Sequence, residues 1–396
     1  MLLHYIIWDI DPVLLRLGSF GVRWYGLLFA LGFLLGRQLW YYFMKEEGKP
    51  IGDLEALTLH IVLGTILGAR LGHVLFYDFS YFAQRPLEVL LPFSFTPTFK
   101  FTGYSGLASH GAAIGILTAM YAYSNYAITT RLIPPRLTIK KRLRVGQGYL
   151  WVADRMIIVV ALAGCLIRIG NFMNSEIWGQ PTNNQHGVLF AREVMHRLQS
   201  VSSAIDKVEV TKRNTTRPND GNYQPIDLAI SFKYGGSEEA AIRRFLEQNV
   251  KYFLAEDSYI ARHIHEPRET PLQYSLSKNK RGRPLAHITT LGIPRHPAQL
   301  YEAGSCFVLF LLLICRWLIK KHRLRPGAIL GWFLVIVFGF RIIYEFFKES
   351  EVALETVLGP LRVPQALSIP LVVAGIILLR YSVYGKKHKR QRSTRL

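Results

Sequence analysis

Seven stretches of this chain are apolar over about the length a helix needs to cross a bilayer, and that limits its fold more than anything else. They lie near Trp24–Phe43, Leu54–Tyr77, Leu107–Tyr126, Val152–Ile169, Ala298–Ile319, Ala328–Phe347 and Val363–Val383. In hydrocarbon the backbone must satisfy its own N–H and C=O groups, so each stretch is expected as a helix. A soluble fold would need seven buried core helices in one domain. Composition argues against it, with half of the residues apolar and only 19% charged.

Lysine and arginine orient the spans. The loop Thr129–Gly148 carries Arg131, Arg136, Lys140, Lys141, Arg142 and Arg144, and Arg316, Lys320, Lys321, Arg323 and Arg325 follow the fifth stretch. The tail holds Lys386, Lys387, Lys389, Arg390, Arg392 and Arg395, whereas the alternate short loops hold few. The positive-inside rule then places the amino terminus outside and the carboxyl terminus in the cytoplasm, as an odd number of spans requires. The expected fold is an all-α polytopic membrane protein of seven transmembrane helices with an inserted, small α+β extracytoplasmic head. The net charge of +21 is answered by anionic membrane lipids, so no nucleic-acid partner is expected. The first residues lack the basic region and cleavage site of a signal peptide.

The expected parts are residues 1–181 with four spans, 182–295 as the head, 296–385 with three spans, and 386–396 as a basic cytoplasmic tail. Within the head, Asp227–Tyr234 alternates like a strand, Lys207–Lys212 reads as a second, and Ser237–Leu254 reads as an amphipathic helix. Turns are expected at Arg217–Asn222 and Ser277–Pro284.

Polar groups in such surroundings are costly and point to function. The densest set is Arg168, Asn171, Asn174 and Glu176, in the run Arg-Ile-Gly-Asn-Phe-Met-Asn-Ser-Glu-Ile-Trp-Gly that closes at Gly179. Arg168 and Asn171 share a helical face, while Gly170 and Gly179 suggest that the chain then leaves the helix. Arg70 lies among Gly64, Gly68 and Gly72, whose spacing lets helices approach closely. It reads either as a partner for a buried acid or carbonyls, or as a ligand contact. His110 opens the third stretch, either as a packing residue or as a base, with Gly111 and Gly115 leaving room for lipid or peptide. Asp154 and Arg155 read as caps of their own helix.

His296, Pro297 and Glu302 suit the start of the fifth span, but Gln299 and Tyr301 beside them are not explained by capping. Arg341 and Glu345 share a face in the weaker order for an ion pair, which leaves the guanidinium available to an anion. Tyr25, by itself, reads as an interfacial aromatic. All of these but Arg70, Asp154 and Arg155 fall on the outer half of their spans, a common level that describes a pocket for an anionic lipid head group. Cys165, Cys306 and Cys315 have no ligand spacing, and no glycine-rich phosphate loop or serine elbow occurs, so neither metal nor cofactor is expected. Two rival readings are a lipid or anion transporter, which would spread its charges through both leaflets, and a scaffold whose polar groups only lock helices together.

Together these motifs resemble the bacterial prolipoprotein diacylglyceryl transferases. The resemblance rests on Arg23–Gly26, Gly68–Gly72, His110-Gly111, Arg168–Gly179, His296–Glu302 and the Arg341/Glu345 segment. It implies an inner-membrane enzyme with a periplasm-facing site, phosphatidylglycerol as donor and the lipobox cysteine of a prolipoprotein signal peptide as acceptor. The implied product is a thioether-linked diacylglyceryl lipoprotein, with glycerol phosphate released. The family's functional positions fall on Tyr25, His110, Arg168, Asn171, Glu176, Gly179, Arg341 and Glu345. His110, Arg168, Arg341 and Glu176 are the expected catalytic residues. Tyr25, Arg70, Asn171, Asn174, Gly179, Gln299, Tyr301 and Glu345 are the expected substrate contacts. The two acids, Glu176 and Glu345, are expected to hold the arginines. The chain departs from the family pattern at Ala112, at Cys165-Leu166-Ile167 and at Val337, and its insert is longer than the usual head.

Overall fold

The computed structural model of the protein describes residues 5–18, 20–91, 93–94, 99–101, 106–131, 136–141, 144–184, 186–213, 223–233, 239–347 and 363–393. The turn expected at Arg217–Asn222, the loop residues Lys348 and Arg362, and the last tail residues lie outside them. Among the described residues a helix forms at every apolar stretch: α1 (Trp24–Glu46), α2 (Asp53–Phe76), α3 (Ser109–Asn125), α4 (Tyr149–Met173), α5 (Ala298–Lys320), α6 (Ala328–Tyr344) and α7 (Val363–Ser393). Five of them, α1, α2, α4, α5 and α7 over Gln365–Ser382, are long and apolar enough to cross a membrane. Helices α3 and α6 have 17 residues each, at the short end of spanning length. The protein is a polytopic, mostly helical membrane protein with a small β-sheet insertion.

The chain forms two compact units, one of residues 1–31, 164–306 and 340–367 and the other of residues 32–163, 307–339 and 368–396. The first contains the head. Strand Gln224–Phe232 pairs antiparallel with Ile205–Lys212 on one side and Pro284–Gly292 on the other, and the latter also pairs with Ile264–His265 and Tyr274–Lys278. Alternation puts Ile226, Leu228, Ile230 and Phe232 on the buried face. Against it lies the helical run Glu239–Glu256, which buries Ile242, Leu246, Val250 and Leu254. A strict four-residue spacing drifts around a helix of 3.6 residues per turn. The wider π turn at Leu246–Val250 absorbs that drift.

His263 is wholly buried in the head, its ring 4.9 Å from that of Trp178 and 5.0 Å from that of Tyr259. Burial pushes its pKa down to about 3, with the charges of Arg295 and Arg262 acting the same way. An unfolded histidine takes a proton below about pH 6.5, whereas this one refuses it until about pH 3, so stability is full above 6.5 and lost as pH falls through that window. Unfolding midpoints of the full chain should report a loss of about 2 kcal/mol between pH 7 and pH 5, and His263→Phe should remove that dependence.

In the second unit α2 and α3 meet backbone to backbone. A Cβ on Gly72 would lie 2.7 Å from the Gly111 Cα, and one on Gly64 would lie 2.7 Å from the Gly115 carbonyl oxygen. Gly111 and Gly115 thus let α2 approach closely, and beside that contact they line a cavity of about 600 Å³ together with Gly64, Gly68 and Gly72. Arg70 is buried and spends its donors on carbonyls, with Nε to Val89 at 2.9 Å and Nη2 to Glu88 at 2.6 Å. Of its two readings, the carbonyl set describes its contacts within the protein.

Glu47, just past α1, is buried between Arg155, whose Nε and Nη2 donate to Oε1 at 3.0 and 2.7 Å, and two indoles. Trp151 Nε1 donates to Oε2 at 2.7 Å and Trp317 Nε1 to Oε1 at 2.6 Å. Asp154 does not cap its own helix. Its carboxylate accepts the backbone N–H groups of Gly327 (2.8 Å) and Leu330 (2.9 Å), so it caps α6 instead. The loop expected over Thr129–Gly148 opens with a hairpin, Tyr126–Arg131 against Arg136–Lys141, where the β-branched Ile128, Thr129, Thr130, Thr138 and Ile139 favour strand.

Candidate functional site

The signature run begins inside α4 and ends it. The N–H of Glu176 bonds the Asn171 carbonyl at 3.1 Å and that of Ser175 bonds the Phe172 carbonyl at 3.0 Å, the two bonds of a Schellman stop. Such a stop needs a left-handed residue, and Ser175 supplies it at φ 54°. Glycine adopts that conformation at less cost, so Ser175→Gly should raise the unfolding midpoint, by about 0.5–1 kcal/mol in stability. Ile177 follows at φ 59°, and a β-branched side chain there is strained.

This turn brings the polar side chains of the run together. Asn171 Nδ2 donates to Glu176 Oε1 at 2.7 Å, and Asn174 Nδ2 reaches the same oxygen at 3.3 Å. Asn171 Oδ1 in turn accepts from Arg168 Nη1 at 3.5 Å. The first turn of α5 closes the group from the far end of the insert. Gln299 Nε2 donates to the Glu176 carbonyl at 2.6 Å, and Glu302 Oε2 holds Arg168 Nε at 2.6 Å. Tyr25 packs on Gly170, where a Cβ would sit 2.9 Å from its ring.

One expectation is corrected here. The carboxylate that holds Arg168 is Glu302, which the sequence offered only as a complement to the helix dipole, while Glu176 is bound by amides. Gln299, expected to touch substrate, is buried at 1% exposure, and its Nε2 fixes the carbonyl of Glu176.

Gly179 is also held from both sides. Its N–H donates to the His296 carbonyl at 2.9 Å, and its own carbonyl accepts from Arg295 Nη1 at 3.0 Å. Arg295 is buried, and its Nε donates to the Arg262 carbonyl at 2.8 Å, which ties the signature to the head. Sequence reading passed over Arg295, because a lone arginine before a span resembles any interfacial cation. Tyr301 is exposed, with its hydroxyl 3.1 Å from His296 Nδ1.

At the end of α6, Arg341 is exposed and makes no hydrogen bond or ion pair among the described residues, so the pair with Glu345 does not form. The helix stops at Tyr344 and tightens into a 3₁₀ turn at Glu345–Phe347, which takes Glu345 off the shared face, and Glu345 is buried. His110 belongs to the second unit. It stands exposed in the first turn of α3, its ring 5.1 Å from that of Phe76 and 5.8 Å from that of Tyr77. Among the described residues no group of three or more histidine, cysteine or acidic side chains could hold a metal ion.

Comparison with known proteins gives one answer. The family model described as prolipoprotein diacylglyceryl transferase matches residues 12–381. A protein of Tolumonas auensis named phosphatidylglycerol–prolipoprotein diacylglyceryl transferase is 31% identical over 382 residues, covering 96% of this chain and 99% of its own. Proteins of the same name from Chloroherpeton thalassium and Bacteroides fragilis are 30% and 27% identical, covering 96% and 98% of this chain and 95% and 98% of theirs.

Proposed function

The chain belongs to the prolipoprotein diacylglyceryl transferase family, and from that premise we propose how its own residues carry the transfer. The protein is a multi-pass membrane transferase of lipoprotein biosynthesis. The donor is phosphatidylglycerol, as the relatives' name states, and the acceptor is the lipobox cysteine of a prolipoprotein signal peptide. All seven long helices span the bacterial inner membrane, with the amino terminus and the head on the periplasmic side and the carboxyl terminus in the cytoplasm. The basic residues of the expected inner loops support this orientation.

A free thiol titrates near 8.5 and needs a base at neutral pH. His110 takes that proton. The thiolate attacks the glyceryl carbon that carries the phosphate, a C–S bond forms as the C–O bond breaks, and glycerol phosphate leaves with the electron pair. Negative charge grows on the departing phosphate, and Arg168 and Arg341 stabilise it. Glu302 steers Arg168 and leaves its fork to the phosphate, while Arg341 makes no hydrogen bond or ion pair among the described residues. Glu176 aligns Asn171 and Asn174, whose amides and the hydroxyls of Tyr25 and Tyr301 bind the lipid head or the peptide.

The observation that carries this reading is the hydrogen-bonded group of Arg168, Asn171, Glu176 and Glu302 at the signature turn. Its test is purified protein with labelled phosphatidylglycerol and a lipobox peptide with or without its cysteine. Label on the cysteine peptide alone is expected, and uptake of lipid without that product would favour a transporter. His110→Ala should lower turnover about a hundredfold at neutral pH, with partial recovery at pH 9, where more of the thiol ionises unaided. Full turnover in that variant removes the base assignment.

A further inference from the structure

Arg37 is out of place in the second unit. It lies within α1, roughly 14 Å along the axis from the helix end at Glu46, at 1.5 Å per residue. It is exposed and makes no hydrogen bond or ion pair among the described residues. A bare guanidinium at that depth is costly, and a long side chain escapes by reaching toward the interface. It lines a cavity of about 370 Å³ with Gln38, Tyr41, Ile51, Leu54 and Glu55. The last three come from the turn before α2 and its first turn, shortly after the end of α1 in the chain.

Glu55 is exposed and equally without a partner among the described residues, and no ion pair joins it to Arg37. One cavity is therefore lined by a positive and a negative group that make no ion pair with each other, together with an amide, a phenol and the buried Leu54. A surface ion pair would close that gap if the two charges existed only for each other. An arrangement of separated opposite charges matches a zwitterion.

We propose that this cavity seats the head group of a phosphoethanolamine-type membrane phospholipid, with its phosphate on Arg37 and its ammonium on Glu55. The guanidinium fork suits phosphate, and a primary ammonium donates hydrogen bonds to the carboxylate. A quaternary ammonium cannot donate, and a lone phosphate leaves Glu55 unanswered. The exposed Leu34 and Leu35 of α1 offer apolar surface for the acyl chains. This site shares no residue with the one around Arg168 and does not depend on the transfer reaction.

The test uses the full chain, stripped of lipid in detergent and titrated with short-chain phosphatidylethanolamine, phosphatidylcholine or phosphatidic acid while the unfolding midpoint is read. Phosphatidylglycerol is kept out because the transfer site would take it. Phosphatidylethanolamine is expected to bind about tenfold more tightly than the other two. Arg37→Ala should abolish that binding and Arg37→Lys should weaken it, while Glu55→Gln should leave phosphatidylethanolamine and phosphatidylcholine equal. All three variants should keep their transfer activity. Equal binding of the three lipids by the unaltered protein, or a preference that survives both Arg37→Ala and Glu55→Gln, overturns the assignment.

Discussion

Arg168→Ala should cut turnover about a thousandfold while the protein accumulates at its usual level, since a donor aimed at developing charge contributes on that scale. The side chain sits at the end of a membrane helix, held by Glu302 at 2.6 Å through Nε, which leaves its Nη groups for a ligand apart from the long contact to Asn171. Arg168→Lys separates charge from geometry. Lysine still answers Glu302 but presents a single point where the guanidinium presents a fork, so activity should fall nearly as far. Glu302→Gln should lower kcat with little change in KM, because the fork would remain but swing. The measurements are initial rates on labelled phosphatidylglycerol and a lipobox peptide, with protein amount checked alongside. An Arg168→Lys variant at full rate would contradict bidentate capture.

Glu47→Ala should destabilise the protein by about 3–5 kcal/mol, the usual cost of leaving a buried charge uncompensated. Arg155 would lose its carboxylate at 3% side-chain exposure, and the indoles of Trp151 and Trp317 would lose their acceptor. Glu47→Gln keeps an oxygen for two of these donors and should cost about half as much. Replacing Glu47 and Arg155 together with methionine should recover most of the loss, since desolvating two ions offsets much of their attraction. Thermal unfolding in detergent decides this. If the double variant is no better than Glu47→Ala, the network is worth more than its charges.

Helices and strands were legible because their signals are local. Apolar run length located the long helices, and the expected strands Lys207–Lys212 and Asp227–Tyr234 fall on the observed Ile205–Lys212 and Gln224–Phe232, with Tyr234 outside the described residues. The helix expected over Ser237–Leu254 is present from Glu239 onward, the first described residue of that range, but nothing in its composition announced the π turn. The polar residues of the signature were legible for the same reason, since four costly side chains stand within one run. Their partners were not. Glu302 reaches Arg168 across the whole insert, Arg295 reaches Gly179 with its donors turned to bare carbonyls, and neither contact leaves a periodic mark. Glu47 was passed over entirely, because an acid after a helix resembles an ordinary loop residue until Arg155 and two tryptophans close on it.

The carboxylate of Asp154 has to wait for its partners. The first backbone group it receives is synthesised 173 residues later, which at cellular elongation rates of about 5–20 residues per second is a delay of about 9–35 s. Until then the fourth helix carries a naked acid that membrane hydrocarbon rejects. Biogenesis must therefore either hold this segment at the translocon's watery edge or insert it with the acid protonated. Final seating of the fourth helix is thus coupled to arrival of the sixth.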